Sequence, residues 1–258
     1  MRPGAVDTHM HLNHRRLLSR AEAVIADARA AGVTEMIVVG YDLPSSVTAV
    51  RLAEEHPELW AAVGIHPHDA ADADEGAFAQ LRRLAANPRV VAIGETGLDF
   101  YRDLSPRDLQ REWFRLQLGL AEEAGLPVVL HTRDAWDEML DTLAAHGPAR
   151  RGILHCYSGT AAQARRAVEL GYALGIGGAL TYGDAELAAA VRAAPRHALV
   201  LETDAPYLVP APKDVKRNEP ALLARVRAAV AALRGETEED VDAFTTENAR
   251  RVLALTAG

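Results

Sequence analysis

The stretch AVDTHMHL, residues 5–12, decides how the whole chain reads, because it ends an apolar, strand-like run on two histidines, His9 and His11. The arrangement recurs: VVAIGETGLD (90–99) carries Glu95, PVVLHTR (127–133) His131, RGILHCYS (151–158) His155 and ALVLETD (198–204) Asp204. Every one of these side chains is a metal-ligand type, and each stands at or near the C-terminal end of a predicted strand. A closed parallel barrel gathers strand C-termini into one mouth, where residues remote in sequence converge. Four histidines and two carboxylates at one rim can hold two divalent cations, which points to a hydrolase.

Working outward, strand candidates cover residues 5–11, 35–40, 60–66, 90–95, 127–132, 152–157, 172–177 and 198–203. Between them lie amphipathic stretches over 19–31, 75–86, 107–124, 134–145, 161–170 and 184–194. That alternation specifies right-handed βαβ units and a parallel sheet. Eight strands favour an α/β fold of the (β/α)8 TIM-like barrel type over an open doubly wound sheet. Helix patterns over 219–234 and 237–255 follow the last strand and predict an extra C-terminal helix. The glycine-rich YALGIGG (172–178) is the least regular strand candidate. No Gly/Ser linker, charge block or low-complexity segment interrupts residues 1–258, which read as a single metal-dependent hydrolase domain.

Composition sets the outer bounds. Hydrophobic residues make up 49% of 258, enough for a full-sized core. The one cysteine, Cys156, leaves no internal disulfide and fits a reducing compartment. No apolar stretch approaches the length of a membrane span and no signal-peptide core follows the N-terminus, so the expected location is cytoplasmic, with no membrane partner. A net charge of −8 argues against electrostatic coating of nucleic acid. It leaves a nuclease open, because ions in a pocket supply positive charge that the formal count omits. No stable protein partner is indicated.

Each candidate residue has an ordinary competitor. His9 and His11, two apart in a strand, share a face and can reach one ion, yet the His-x-His spacing alone is common. Glu95 can bridge two ions through its two oxygens, or simply be solvated or paired with an arginine; Asp99, four residues on, is its runner-up and reads better as a loop or supporting residue. His131 and His155 each follow a strongly apolar run, where a hydrogen-bonded core histidine is the usual finding. Two of them at one depth weaken that account, and each would need an acceptor on its other nitrogen. Asp204 can ligate an ion and take a proton from attacking water, or serve only the turn before Ala205-Pro206. Glu202, two residues earlier, reads as structural or supporting.

Taken together and in order, VDTHMHL, VGIHPHD, AIGETGLDFY, VVLHTRDA, GILHCYSGT, LETDAPYLVP, KRNEP and TENARRVL resemble the TatD family of metal-dependent deoxyribonucleases, from residue 6 to about residue 253. The resemblance implies a TIM-like barrel of the amidohydrolase superfamily with a dinuclear site of zinc, magnesium or manganese. His9, His11 and Asp204 would hold one ion, His131 and His155 the other, with Glu95 between them and Asp204 also the catalytic base. His66 of VGIHPHD would lie at the mouth on the substrate phosphate. Thr96, next to the bridging glutamate, replaces a residue that is more often apolar or cysteine. The implied substrate is nucleic acid, DNA first, trimmed from its 3′ end.

The lysines offer a check that stands apart from the resemblance. Many dinuclear barrels bridge their ions with a carboxylated lysine, but here the only lysines, Lys213 and Lys216, lie beyond the last strand. A glutamate must bridge, and that makes Glu95 necessary. Arg133 is a weaker candidate for a phosphate oxygen, with a salt bridge to Asp134 or Asp137 as its competitor. Asn218 is most simply the N-cap of the helix from 219. Three readings stay open: a nuclease on DNA or RNA; a metal-dependent ester hydrolase, such as one acting on a D-aminoacyl ester of transfer RNA; and a non-catalytic barrel scaffold, which would be expected to have lost ligands.

Overall fold

A computed structural model describes residues 4–255. Eight parallel strands form one sheet in chain order: β1 (Ala5–Met10), β2 (Val33–Val39), β3 (Leu59–Val63), β4 (Val90–Asp99), β5 (Val128–Arg133), β6 (Gly152–Leu154), β7 (Ala173–Ile176) and β8 (Leu199–Leu201). Between β1 and β2 lie α1 (Arg15–Leu18) and α2 (Ala21–Ala30). The later crossovers are α3 (Leu43–Glu55), α4 (Glu75–Ala85), α5 (Arg107–Ala124), α6 (Trp136–His146), α7 (Ala161–Glu169) and α8 (Ala185–Ala193). Two helices follow β8, α9 (Leu223–Arg234) and α10 (Glu238–Leu253), so the tail carries the extra helix that the pattern predicts. No helix among the described residues is long and apolar enough to cross a membrane.

The sheet closes where β1 meets the chain leaving β8. Met10 bridges Ala205 in parallel. The His11 N–H donates to the Ala205 carbonyl at 2.7 Å and the Asp204 N–H to the His9 carbonyl at 2.9 Å. Side chains lock the same seam: Thr203 donates its N–H to Asp7 Oδ1 (3.0 Å) and its hydroxyl to Oδ2 (2.6 Å), and Thr8 Oγ1 donates to the Leu201 carbonyl (3.1 Å).

Alternation along the strands then divides the core. Ile37, Val39, Val129, Ile153 and Val200 form one buried cluster, to which α10 adds Ala249 and Leu253. Their neighbours Met36, Val38, Val128, Leu130, Leu154, Leu199 and Leu201 join the larger cluster shared with the helices. The period of two carries the first face forward to His131, His155 and Glu202.

Two strands break that period at useful places. In β4, Ile93 pairs with Val128 and Thr96 with Leu130, three residues against two, so one extra residue is held at Gly94-Glu95. In β1, Asp7 pairs with Met36 and Met10 with Val38, an equal excess around Thr8-His9. Such bulges re-aim a side chain. Gly94 permits the first: its φ is +153°, and a Cβ there would run into the Val129 carbonyl.

Several boundaries differ from the sequence pattern. Helix α3 is absent from it, because Pro44, Ser45, Ser46, Val47 and Thr48 are weak helix formers. A capping box starts the helix instead, with Ser45 N–H donating to Asp42 Oδ1 (2.7 Å) and Asp42 N–H to Ser45 Oγ (2.9 Å). Strand β4 runs to Asp99 rather than stopping at Glu95, so Asp99 is a strand-end residue and not a loop one. Strands β6 and β8 are shorter than predicted, their chains turning off near Cys156 (φ +46°) and Asp204 (φ +57°), both in left-handed backbone.

Helix α5 is tied to the sheet by a buried amide. Gln117 accepts the Ile65 N–H (2.8 Å) and donates to the Ile65 carbonyl (3.0 Å) and Thr96 Oγ1 (2.7 Å). Gln117→Ala strands these groups in the core and is expected to lower unfolding free energy by about 2–4 kcal/mol, read from the urea midpoint. A change under a few tenths would remove Gln117 from this role.

Candidate metal centre

All six sequence-predicted ligand residues converge at the mouth of the barrel. The His9 and His11 Nε2 atoms are 3.2 Å apart. Glu95 Oε2 lies 3.4 Å from the first and 3.7 Å from the second. Asp204 Oδ1 is 3.4 Å from His11 Nε2 and 3.9 Å from His9 Nε2. The other Glu95 oxygen, Oε1, faces a different set: His131 Nδ1 at 3.1 Å, His66 Nε2 at 3.6 Å and His155 Nε2 at 3.8 Å. One buried carboxylate therefore separates two groups of imidazoles.

The donor set fits divalent ions. Ligands at about 2.0–2.1 Å from a tetrahedral ion sit about 3.3 Å from one another, and the spacings around Glu95 Oε2 cluster near that value. Ring orientation agrees. His11 Nδ1 is 2.9 Å from the Val39 carbonyl, which accepts only an N–H, so in the neutral ring Nε2 presents a bare lone pair. His131 Nε2 lies 3.0 Å from Asp99 Oδ2, leaving Nδ1 as the lone pair beside Glu95. His155 Nδ1 lies 2.8 Å from Glu202 Oε1; the N–H does not point straight at the oxygen, so the contact is electrostatic more than a well-aligned hydrogen bond. Among the described residues His9 has no hydrogen-bond partner on Nδ1, and its ring stacks on that of His155, with centroids 3.5 Å apart.

Charge points the same way. Asp7, Glu95, Asp99, Glu202 and, less deeply, Asp204 are carboxylates gathered at this end of the barrel. Burial alone would raise Glu95, but His66, His9 and His131 hold it well below the usual carboxylate range. Burial of Asp204 is likewise outweighed, chiefly by His11. In return His155, despite burial, is pushed up to about 10 by Glu202, and His11 and His131 are raised by their carboxylate partners. Buried carboxylates need compensating charge. Without metal, His11, His131 and His155 supply it as protons; divalent cations would supply it with the same rings deprotonated.

His66 differs from the ligands. Its Nδ1 accepts the His68 backbone N–H at 3.0 Å in the turn of residues Pro67–Asp69, so the neutral ring carries its proton on Nε2, facing the centre. Burial, reinforced by His131, holds its pKa well below normal, so the ring is neutral and presents an N–H to the centre. His66, His68 and His131 do bring nitrogen atoms within 4.8 Å of one another. That trio is better described as a hydrogen-bonded chain, because His68 Nε2 (2.8 Å) and His131 Nε2 both engage Asp99 Oδ2.

Asn218 departs from its sequence reading, Arg133 lacks its expected competitor, and Glu202 takes the supporting place read for it. Asn218 does not cap a helix; its Nδ2 donates to the Thr203 carbonyl (2.6 Å) and braces the turn that carries Asp204. Arg133 makes no ion pair with Asp134 or Asp137 among the described residues, and lies over the Tyr101 ring at 4.0 Å. Glu202 turns inward, accepting the Cys156 N–H at 2.5 Å. The glycine-rich character of β7 follows from this, since a Cβ on Gly175 would overlap the Glu202 carboxylate. His68 and Asp7 were not singled out in the sequence. His68 repeats the His-x-His spacing of residues 9–11, but in a turn.

Comparison with known proteins agrees with this architecture. The family model described as TatD related DNase matches residues 6–254. The chain is 40% identical to the uncharacterized metal-dependent hydrolase YabD of Bacillus subtilis, over 96% of this chain and 98% of that protein. It is also 40% identical to the 3′-5′ ssDNA/RNA exonuclease TatD of a Rahnella species, over 91% and 92%. Among solved structures, YJJV, a TatD homologue from Escherichia coli, superposes with a TM-score of 0.95 at 32% identity, over 99% of this chain and 100% of that one.

Asp99 fixes the His131 tautomer, and an amide there can present its N–H to the ring instead of an oxygen. Asp99→Asn is expected to weaken manganese binding by about 10–100-fold, measured by titration calorimetry. Unchanged affinity in a folded variant would show that Asp99 does not orient the ligand.

Proposed function

The chain belongs to the TatD related DNase family, and from that premise we propose that it is a metal-dependent hydrolase that cleaves the phosphodiester bonds of single-stranded nucleic acid from the 3′ end. The observation that carries this reading is the placement of Glu95 between two imidazole sets, one oxygen toward His9 and His11 and the other toward His131 and His155. Two ions are accommodated by such a division, with zinc, magnesium and manganese all suited to a mixed nitrogen and oxygen donor set. The relatives named as 3′-5′ ssDNA/RNA exonucleases support the substrate class.

When bound, divalent ions of this kind lower the pKa of an attacking water and offset charge on a phosphate oxygen. The residues then divide the remaining work. His9, His11 and Asp204 hold one side, His131 and His155 the other, and Glu95 fixes their separation. Asp204 accepts the proton of the attacking water; its turn, braced by the Thr203–Asp7 and Asn218–Thr203 hydrogen bonds, keeps the carboxylate within reach of that proton. His66 donates its Nε2–H to a phosphate oxygen, remaining neutral throughout because burial disfavours its cation. His131 and His155 keep their lone pairs toward the centre through Asp99 and Glu202.

The test is degradation of a 5′-labelled single-stranded DNA with added magnesium or manganese and a chelator control. The expected result is a ladder shortening from the 3′ end that the chelator abolishes. Asp204→Ala should lower turnover by about 10²–10⁴-fold in a protein whose circular dichroism is unchanged. His66→Ala should keep its metal content by elemental analysis and lose activity. Loss of a metal equivalent in that variant would make His66 a ligand. A metal-loaded protein that cuts neither DNA nor RNA would shift the reading to an ester such as a D-aminoacyl-tRNA.

A further inference from the structure

Large apolar side chains exposed on this protein are not scattered. Of seven among the described residues, five are Tyr101, Leu104, Tyr182, Tyr207 and Val215, and all five follow the C-terminal ends of β4, β7 or β8. Those segments surround the mouth of the barrel. Tyr101 is tied to the site through its N–H, which donates at 3.0 Å to Asp99 Oδ1, whose carboxylate partner oxygen contacts His131. The Tyr207 N–H donates to the Asp204 carbonyl at 2.8 Å, and its ring lies 6.0 Å from that of His11 and 5.7 Å from that of His14. On the β7 side, the Tyr182 hydroxyl donates to the Val209 carbonyl at 2.9 Å, within the segment after β8.

Two of these rings carry a cation on one face. The Arg133 guanidinium lies 4.0 Å from the Tyr101 centroid and Lys213 Nζ lies 3.8 Å from that of Tyr182. Neither cation has an ion-pair partner among the described residues, and both are exposed, as are Arg15 and Arg16 near Tyr207. In a chain of net charge −8, unpaired cations beside exposed rings at one rim form a local pattern opposite to the whole. Tyr101 remains 59% exposed with its cation in place, so the cation steadies the ring without covering it.

We propose that Tyr101, Tyr182 and Tyr207, flanked by Arg133 and Lys213, form a stacking rim that holds unpaired nucleobases of a single strand while its terminal phosphodiester enters the centre. This deepens the nuclease reading and rests on it. Exposed aromatic faces interleaved with cations suit a flexible strand: every base has a face to stack, and the cations follow the phosphates. A duplex keeps its bases stacked on one another and presents none of those faces, so the rim selects single strands by geometry and not by sequence.

The experiment compares two substrates in the metal-loaded protein, a single-stranded DNA oligonucleotide and bis(para-nitrophenyl) phosphate, a diester with no base. Tyr101→Ala and Tyr207→Ala should each raise the oligonucleotide KM by about 5- to 150-fold with a much smaller effect on its kcat. The ratio of kcat/KM between oligonucleotide and small diester should fall accordingly. Tyr101→Phe and Tyr207→Phe, which keep the ring, should restore the ratio. An unchanged ratio in the alanine variants, or phenylalanine variants as impaired as alanine, would overturn the rim while leaving the nuclease reading intact. Wild-type protein that hydrolyses the small diester but neither single-stranded DNA nor RNA would overturn the nuclease reading, and the rim with it.

Discussion

The seam between β1 and the chain leaving β8 is the constraint on which the rest depends. Hydrogen bonds from Asp204 to His9 and from His11 to Ala205 close the sheet, and the same few residues carry three of the proposed ligands. Closure and assembly of the centre are one event. Asp7 is the clearest sign of it: burial pushes its carboxyl up to about 7, even though Thr203 gives it two hydrogen bonds. A barrel could close on apolar contacts alone. Here a buried polar latch fixes the register of the seam, which apolar packing would leave free to slip.

Register is also what makes Glu95 effective. On a regular β4 the alternation would put that position on the face of Ile93, toward the helices. The extra residue at Gly94-Glu95 and the matching excess in β1 turn Glu95 and His9 toward each other. Around them stand acceptors on the rings' other nitrogens: the Val39 carbonyl on His11, Asp99 on His131 and Glu202 near His155. Each leaves the opposite nitrogen facing inward.

Much of this was legible in the chain, and the reasons differ by residue. His131 and His155 could be read because they continue a period of two from Val129 and Ile153, a rule that needs no partner strand. The limits of α5 matched the helical period, while α3 was missed because its first turn depends on the Asp42–Ser45 box more than on propensity. The bulges could not be read, since a bulge is a relation between two strands. Asn218 was misjudged as a cap, and Asp99 as a loop residue, for a similar reason: their partners, the Thr203 carbonyl and His131, belong to other strands or loops. The irregular glycines of β7 seemed to weaken the case for a strand. Gly175 is instead the space that a glutamate from the next strand requires.

The seam has a consequence for the chain as it is made. His9 is made long before Asp204, which shares its hydrogen bond and stands far later in the chain. Until then the early strands have no last strand to close against, and the donor set lacks its final carboxylate. Truncated products of interrupted translation are therefore left without a complete hydrolytic centre. The order of synthesis alone thus holds the donor set incomplete until its last carboxylate has been made.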